Sequence, residues 1–175
     1  AFTATQIEGF ADTQLASLTT TQLSNLSLSD FAKFTDGQFA LFAATQLGAL
    51  SAANFSAIDA TGIAGLTTTQ FKGVTATQLA ALTPADIGEL ASTQIGVLLT
   101  HQLRALGADG FSALDATQVS GLSSTQMKGL STTQVSGLTS DDFVEFADTQ
   151  VAALLGVQIA SLSTTRSEEH TSELQ

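Results

Sequence analysis

The stretch that decides the fold is Thr117–Leu138, TQVSGLSSTQMKGLSTTQVSGL, which says one thing three times. Gln118, Gln126 and Gln134 lie eight residues apart, each after a Thr and before an apolar residue, and Leu122, Leu130 and Leu138 follow at the same interval. Outward from here the same octad runs in both directions without insertion, from Thr3 to about Thr165. With Gln as position four, position one is most often a hydroxyl residue, as at Thr19, Ser27, Thr67, Thr83 and Ser131, with Asp59 and Asp115 as variants. Position four holds Gln in most copies, Asp at Asp30, Asp86 and Asp142, and Asn at Asn54. Only Gly62 and Gly110 interrupt it. Positions five and eight are apolar throughout, as in Leu15/Leu18, Phe39/Phe42 and Ile87/Leu90, and no charge falls on them before the tail. That segregation predicts an inside and an outside, because an unpaired buried charge is costly.

Ser/Thr-x-x-Gln ahead of an apolar residue is a capping box, a start signal for a helix. Thr83-Pro84-Ala85-Asp86 is the clearest copy, with Pro at the first helical position and an acid in the first turn. Positions five and eight are i and i+3 and share one helix face. One unbroken helix fails: eight residues advance about 800°, so the apolar pair rotates by about 80° per octad and no single partner could bury it. The spacing is not a heptad either. The octads therefore predict an all-α solenoid of very short N-capped helices, one per repeat, each stable only when stacked on its neighbours. A β-solenoid is the alternative, because Thr is frequent and short repeats are common in β-helices. Apolar slots three and five apart, rather than two, weigh against it.

A longer period lies over the octad. Ser56–Leu98 aligns with Ser112–Leu154 at an offset of 56 residues, seven octads, with Lys72 against Lys128, Asp59 against Asp115 and Glu89 against Glu145. This is duplication of a block whose octads have unequal, fixed structural jobs. Position seven is small in most copies, as at Gly73, Gly121, Gly129 and Gly137, which lets neighbouring backbones approach closely. The exceptions Lys33, Leu41, Glu89, Val97 and Glu145 predict looser packing or exposed corners there.

Composition narrows the function classes. A formal charge of −11 argues against nucleic acid and anionic membranes as partners. No apolar run approaches the roughly 18 residues of a membrane span. Cys is absent, so there is no disulfide and no thiolate metal site. Asp30, Asp86, Asp142, Asp59 and Asp115 are the only carboxylates regular enough for a calcium repeat, and capping explains all five. His101 stands where most copies have Thr, with no recurring acid or nucleophile beside it. No catalytic residue, cofactor site or metal site is predicted. The one outward slot regular enough for recognition is position three, which gives Thr69, Thr77, Thr93, Thr117, Thr125, Thr133 and Thr149 as a candidate binding face for ice, glycan or protein.

From Arg166 the sequence is RSEEHTSELQ and the octad is lost. This string resembles the conceptual translation of a common sequencing adapter. The expected organisation is thus a repeat solenoid over residues 1–165, cut from a longer array in draft or metagenomic sequence, with a non-native tail over 166–175. The unit (S/T)xTQ(L/I/V)xx(L) is similar to the Thr-Gln-rich octapeptide tracts of some very large bacterial surface or secreted proteins. That resemblance implies an extracellular or cell-surface stalk or spacer, adhesin-like and without catalysis, whose partners are neighbouring repeats of the same array. Cut ends of such a solenoid are expected to expose apolar edges and to self-associate.

Overall fold

The structure is a computed structural model and describes residues 3–162. It is all helical: nineteen short helices, from Ala4–Glu8 to Asp148–Val151, are followed by helical residues 156–162. No strand occurs among the described residues, so the β-solenoid alternative is set aside. The break expected at Arg166 lies outside the described residues.

Each octad restarts the helix as its capping residue dictates. Thr75 is extended (φ −85°, ψ 157°), its hydroxyl accepts the Gln78 amide at 3.3 Å, and the Gln78 Oε1 accepts the Thr75 amide at 2.7 Å. The helix Ala76–Leu79 then lasts four residues before the next extended cap turns the chain. Where position one is Ala or Leu, as at Ala43, Ala91 and Leu99, only the glutamine half of the box forms. One junction departs from the pattern. The helices Thr100–Ala105 and Gly107–Ser112 meet through Leu106 in helical conformation, with Gly107 at φ +72°. A residue with a Cβ would be strained there, so glycine stands in for the hydroxyl cap.

Helices pack on the third helix before and the third after in the chain. Ala76–Leu79, for example, lies against Ala52–Ser56 and Thr100–Ala105. Hydrogen bonds between turns of the solenoid span 25 to 31 residues, centred on 28. One coil is therefore about three and a half octads, and each coil is offset by half an octad from the one below, like staggered bricks. Two coils restore the phase. That gives the 56-residue period a physical reason: a block of seven octads is the shortest duplication that keeps each octad at its own place on the coil.

The core is one continuous column of positions five and eight. Every position-five side chain from Ile7 to Val135 is buried, and Phe31, Phe34, Phe39 and Phe42 form an aromatic cluster within it. Position seven does what its size predicts on several faces. A Cβ on Gly73 would sit 2.2 Å from the Ala44 carbonyl oxygen, and one on Gly121 would sit 2.8 Å from that of Ser92. The expectation of exposed corners at the larger position-seven residues holds for Leu41 and Glu89 but not for Lys33, Val97 and Glu145. Those three are half-buried, and Glu145 Oε2 is shielded without a hydrogen-bond partner.

Candidate functional site

Two features repeat often enough to be functional, the buried glutamine slot and the exposed threonine rows. The glutamine does more than cap. In every copy from Gln38 to Gln158 the side chain is buried, and its Nε2 donates to backbone carbonyls of the coil beneath. Gln78 donates to Leu47 at 2.7 Å and Leu50 at 2.9 Å. Gln94 reaches Ile63 and Leu66, Gln118 reaches Ile87 and Leu90, and Gln126 reaches Ile95 and Leu98. The acceptors are positions five and eight of the octad four units back, at the end of that short helix; the position-five carbonyl also accepts the position-eight amide of its own octad, as Leu47 does from Leu50 at 3.1 Å. One amide thus closes the start of its own helix and the end of another. Each such bond contributes about 0.5–1.5 kcal/mol net, and leaving its buried acceptor unmet costs about 1–3 kcal/mol.

This second role escapes the capping-box reading, yet a signal for it is in the sequence. A capping box accepts an acid as readily as Gln, and Asp86 and Asp142 do fill the slot, where the cap forms without a donor toward the coil below. Glu never occupies position four. Only an amide offers an acceptor toward the cap and a donor toward the carbonyls below. Where the slot is Gly there is no room for a side chain: a Cβ on Gly62 would lie 2.6 Å from Ile58 Cγ2, and one on Gly110 would lie 2.6 Å from Ile87 Cδ1.

The aspartates of the calcium pattern are capping groups. Asp59 and Asp115 accept the amides of Gly62 and Gln118, and Asp86 and Asp142 accept the cap amides of Thr83 and Thr139. Asp30 Oδ1 takes a 2.6 Å ion pair from Lys33 Nζ. That bond, with the Ser27 hydroxyl, holds its carboxyl below the usual aspartate value. Among the described residues no three His, Asp or Glu side chains gather as metal ligands. His101 is exposed.

All seven candidate threonines, Thr69, Thr77, Thr93, Thr117, Thr125, Thr133 and Thr149, are exposed. The half-octad offset decides how they line up. On a 28-residue coil, position three lies over position seven of the coil below. Thr77 and Thr133 share a column with Ala105 between them, Thr93 and Thr149 share one with Gly121 between them, and Thr69 and Thr125 share one with Val97 between them. Thr117 falls between Glu89 and Glu145. At the usual interhelical spacing of about 8–10 Å, successive hydroxyls in a column stand about 16–20 Å apart. The rows are therefore dotted rather than continuous. A β-solenoid ladder, by contrast, repeats at about 4.8 Å.

No helix among the described residues is long and apolar enough to cross a membrane. Comparison of the chain with protein-family models, curated proteins and solved structures found no match.

Proposed function

We propose that this chain is a structural repeat segment, a stalk or spacer that works by holding its shape along the coil axis. The observation that supports this reading is the amide ladder from Gln38 to Gln158, which ties each coil to the next in the direction a stalk is loaded. The exposed slots two and six vary in chemistry, as a surface without a fixed ligand does, while the buried slots stay constant. The likeness of the octad to Thr-Gln-rich tracts of large bacterial surface and secreted proteins supports an extracellular or cell-surface setting. The mechanism requires no catalytic residue.

The experiment is to stretch the chain between its termini by single-molecule force spectroscopy. A stalk yields in repeated steps, each releasing about one coil, roughly 90–100 Å of chain for 28 residues. Extension without measurable resistance would contradict the proposal.

A binding role for a protein or glycan on the threonine rows is the second reading, supported by the exposure of all seven side chains. Ice is the weaker ligand for these rows, since the about 16–20 Å column spacing leaves no continuous hydroxyl lattice. Loss of binding on a glycan array when Thr77, Thr93, Thr133 and Thr149 are changed together to Ala would favour the second reading over the first.

A further inference from the structure

The coil sorts the charged residues onto opposite sides of the molecule. Residues 28 apart stack, so a residue's place on the coil gives its side. Among the described residues every Asp and Glu except Asp12 and Asp109 falls within eight consecutive places of the 28, little more than a quarter of the girth. Asp30, Asp59, Asp86, Asp115 and Asp142 run up this stripe, one to a coil. Lys33 is the one described cation on it, and its Nζ pairs with Asp30 at 2.6 Å. One and two periods of 56 residues later, the place of Lys33 holds Glu89 and Glu145. Asp86 and Asp142 therefore have an acid where Asp30 has its lysine. Lys72 precedes Asp86, and Lys128 precedes Asp142, by 14 residues, half a coil, which sets both lysines on the opposite side. Both are exposed, and neither makes an ion pair among the described residues. Leu41 and the 60% exposed Leu99 share the lysine side, and the 81% exposed Val144 stands in the acidic stripe.

Asp86 with Glu89, and Asp142 with Glu145, are like charges three residues apart, and neighbours of one sign on a helix surface are unfavourable. The lysines that would relieve them lie on the same molecule but across its core, out of reach. They are within reach of another copy. We propose that a second copy of this chain packs side by side with the first, its lysine side against the acidic stripe. The spacing fits. Lys72 and Lys128 are one 56-residue period apart, as are Asp86 and Asp142, so both lysines meet acids in a single register. A shift of half a coil, about 4–5 Å at the usual helix spacing, brings the two sets level. Single exposed ion pairs are weak. Here two act together, and Leu99 and Val144 give each side apolar surface to cover. The second copy's own stripe stays open on its far side, so the joint is heterologous and copies add in a row. It uses the flanks of the coil and does not depend on the stalk reading.

The test is sedimentation of the full chain up to millimolar concentration at about 0.15 M salt. There the Debye length of about 8 Å damps the overall repulsion between chains of charge −11 and leaves contact pairs in force. One variant, Lys72→Glu with Lys128→Glu, reverses the lysine side. The other, Glu89→Lys with Asp141→Lys, reverses part of the stripe. All four side chains are exposed, Glu8 already occupies the octad position of Lys72, and Lys33 that of Glu89. Circular dichroism matching the parent checks that each variant folds. The parent should grow past dimers, and each variant alone should need at least fivefold more chain for the same average mass. The second variant is the sharper one, because it lowers the net charge: general repulsion predicts stronger association, and the stripe predicts weaker. An equal mixture of the two should regain the parent's association, since lysines again face acids across the joint. A parent that stays monomeric at millimolar concentration would overturn the proposal. So would a second variant that associates as readily as the parent, or a mixture no more associated than its parts.

Discussion

The amide nitrogen of Gln78 donates to the carbonyl oxygen of Leu50, 28 residues earlier, at 2.9 Å. That bond sets the pitch of the coil, and its partner bonds repeat it up the molecule. It also makes the slot intolerant of a residue that keeps the capping oxygen but loses the donor. Gln78→Glu is the sharpest case, since Gln78 is 1% exposed. An uncompensated carboxylate facing two carbonyls costs about 3–5 kcal/mol at neutral pH. The folded state therefore holds this carboxyl neutral, with a pKa above the unfolded value of about 4.3. The penalty is absent below that value and sets in as pH rises through it toward the folded pKa. Urea unfolding of the variant against the parent at several pH values should show the deficit shrinking toward pH 4. A deficit independent of pH would mean that the side chain has found water.

Close approach of coils at position seven is local, so two glycines should respond in opposite senses. Gly73→Ala drives a Cβ into the Ala44 backbone and should cost about 1–3 kcal/mol. Gly65→Ala meets nothing within 4 Å and should gain about 0.4–1 kcal/mol through the unfolded chain. Thermal denaturation of the two variants gives the signs directly.

Caps can be removed or added. Thr83 accepts the Asp86 amide at 3.2 Å, and Thr83→Ala should cost about 1 kcal/mol. Ala91 opens its helix without a side-chain acceptor, and Ala91→Ser should gain about 0.5–1 kcal/mol. Equal effects at the two sites would mean that helix starts are set by the stacking alone.

Asp30 gives the pH dependence a local sign. Lys33 and Ser27 hold its carboxyl below the ordinary 3.8. Its contribution to stability is present above the unfolded value and is lost as pH falls through the lowered folded one. A carboxyl titration by nuclear magnetic resonance should place Asp30 below the exposed aspartates and return it toward them in Lys33→Ala.

Much of the fold is legible in the octad. The hydroxyl at Thr75 with Gln78 announces a helix start, and Leu79 with Leu82 announces its inner face. The coil is not legible from one unit. Nothing in Thr75–Leu82 says that Gln78 will meet Leu47 and Leu50, because that depends on how sharply each extended cap turns the chain. The 56-residue period carried the information in hidden form, as two coils of 28. The preponderance of Gln over acids at position four carried a trace of the amide's second role. The candidate threonines were legible as exposed, since position three opens each helix away from positions five and eight. Their columns were not, because the half-octad offset that separates Thr77 from Thr133 by Ala105 is a property of the stack.

The glutamine side chain joins one coil to the next, and the nuclear Overhauser spectrum of the Gln78 side-chain amide reads that joint at the atoms that make it. Its Nε2 protons should give cross-peaks to Leu47 and Leu50 and exchange slowly with solvent. An amide that exchanges freely and shows contacts only to Thr75 and its immediate neighbours would contradict that joint.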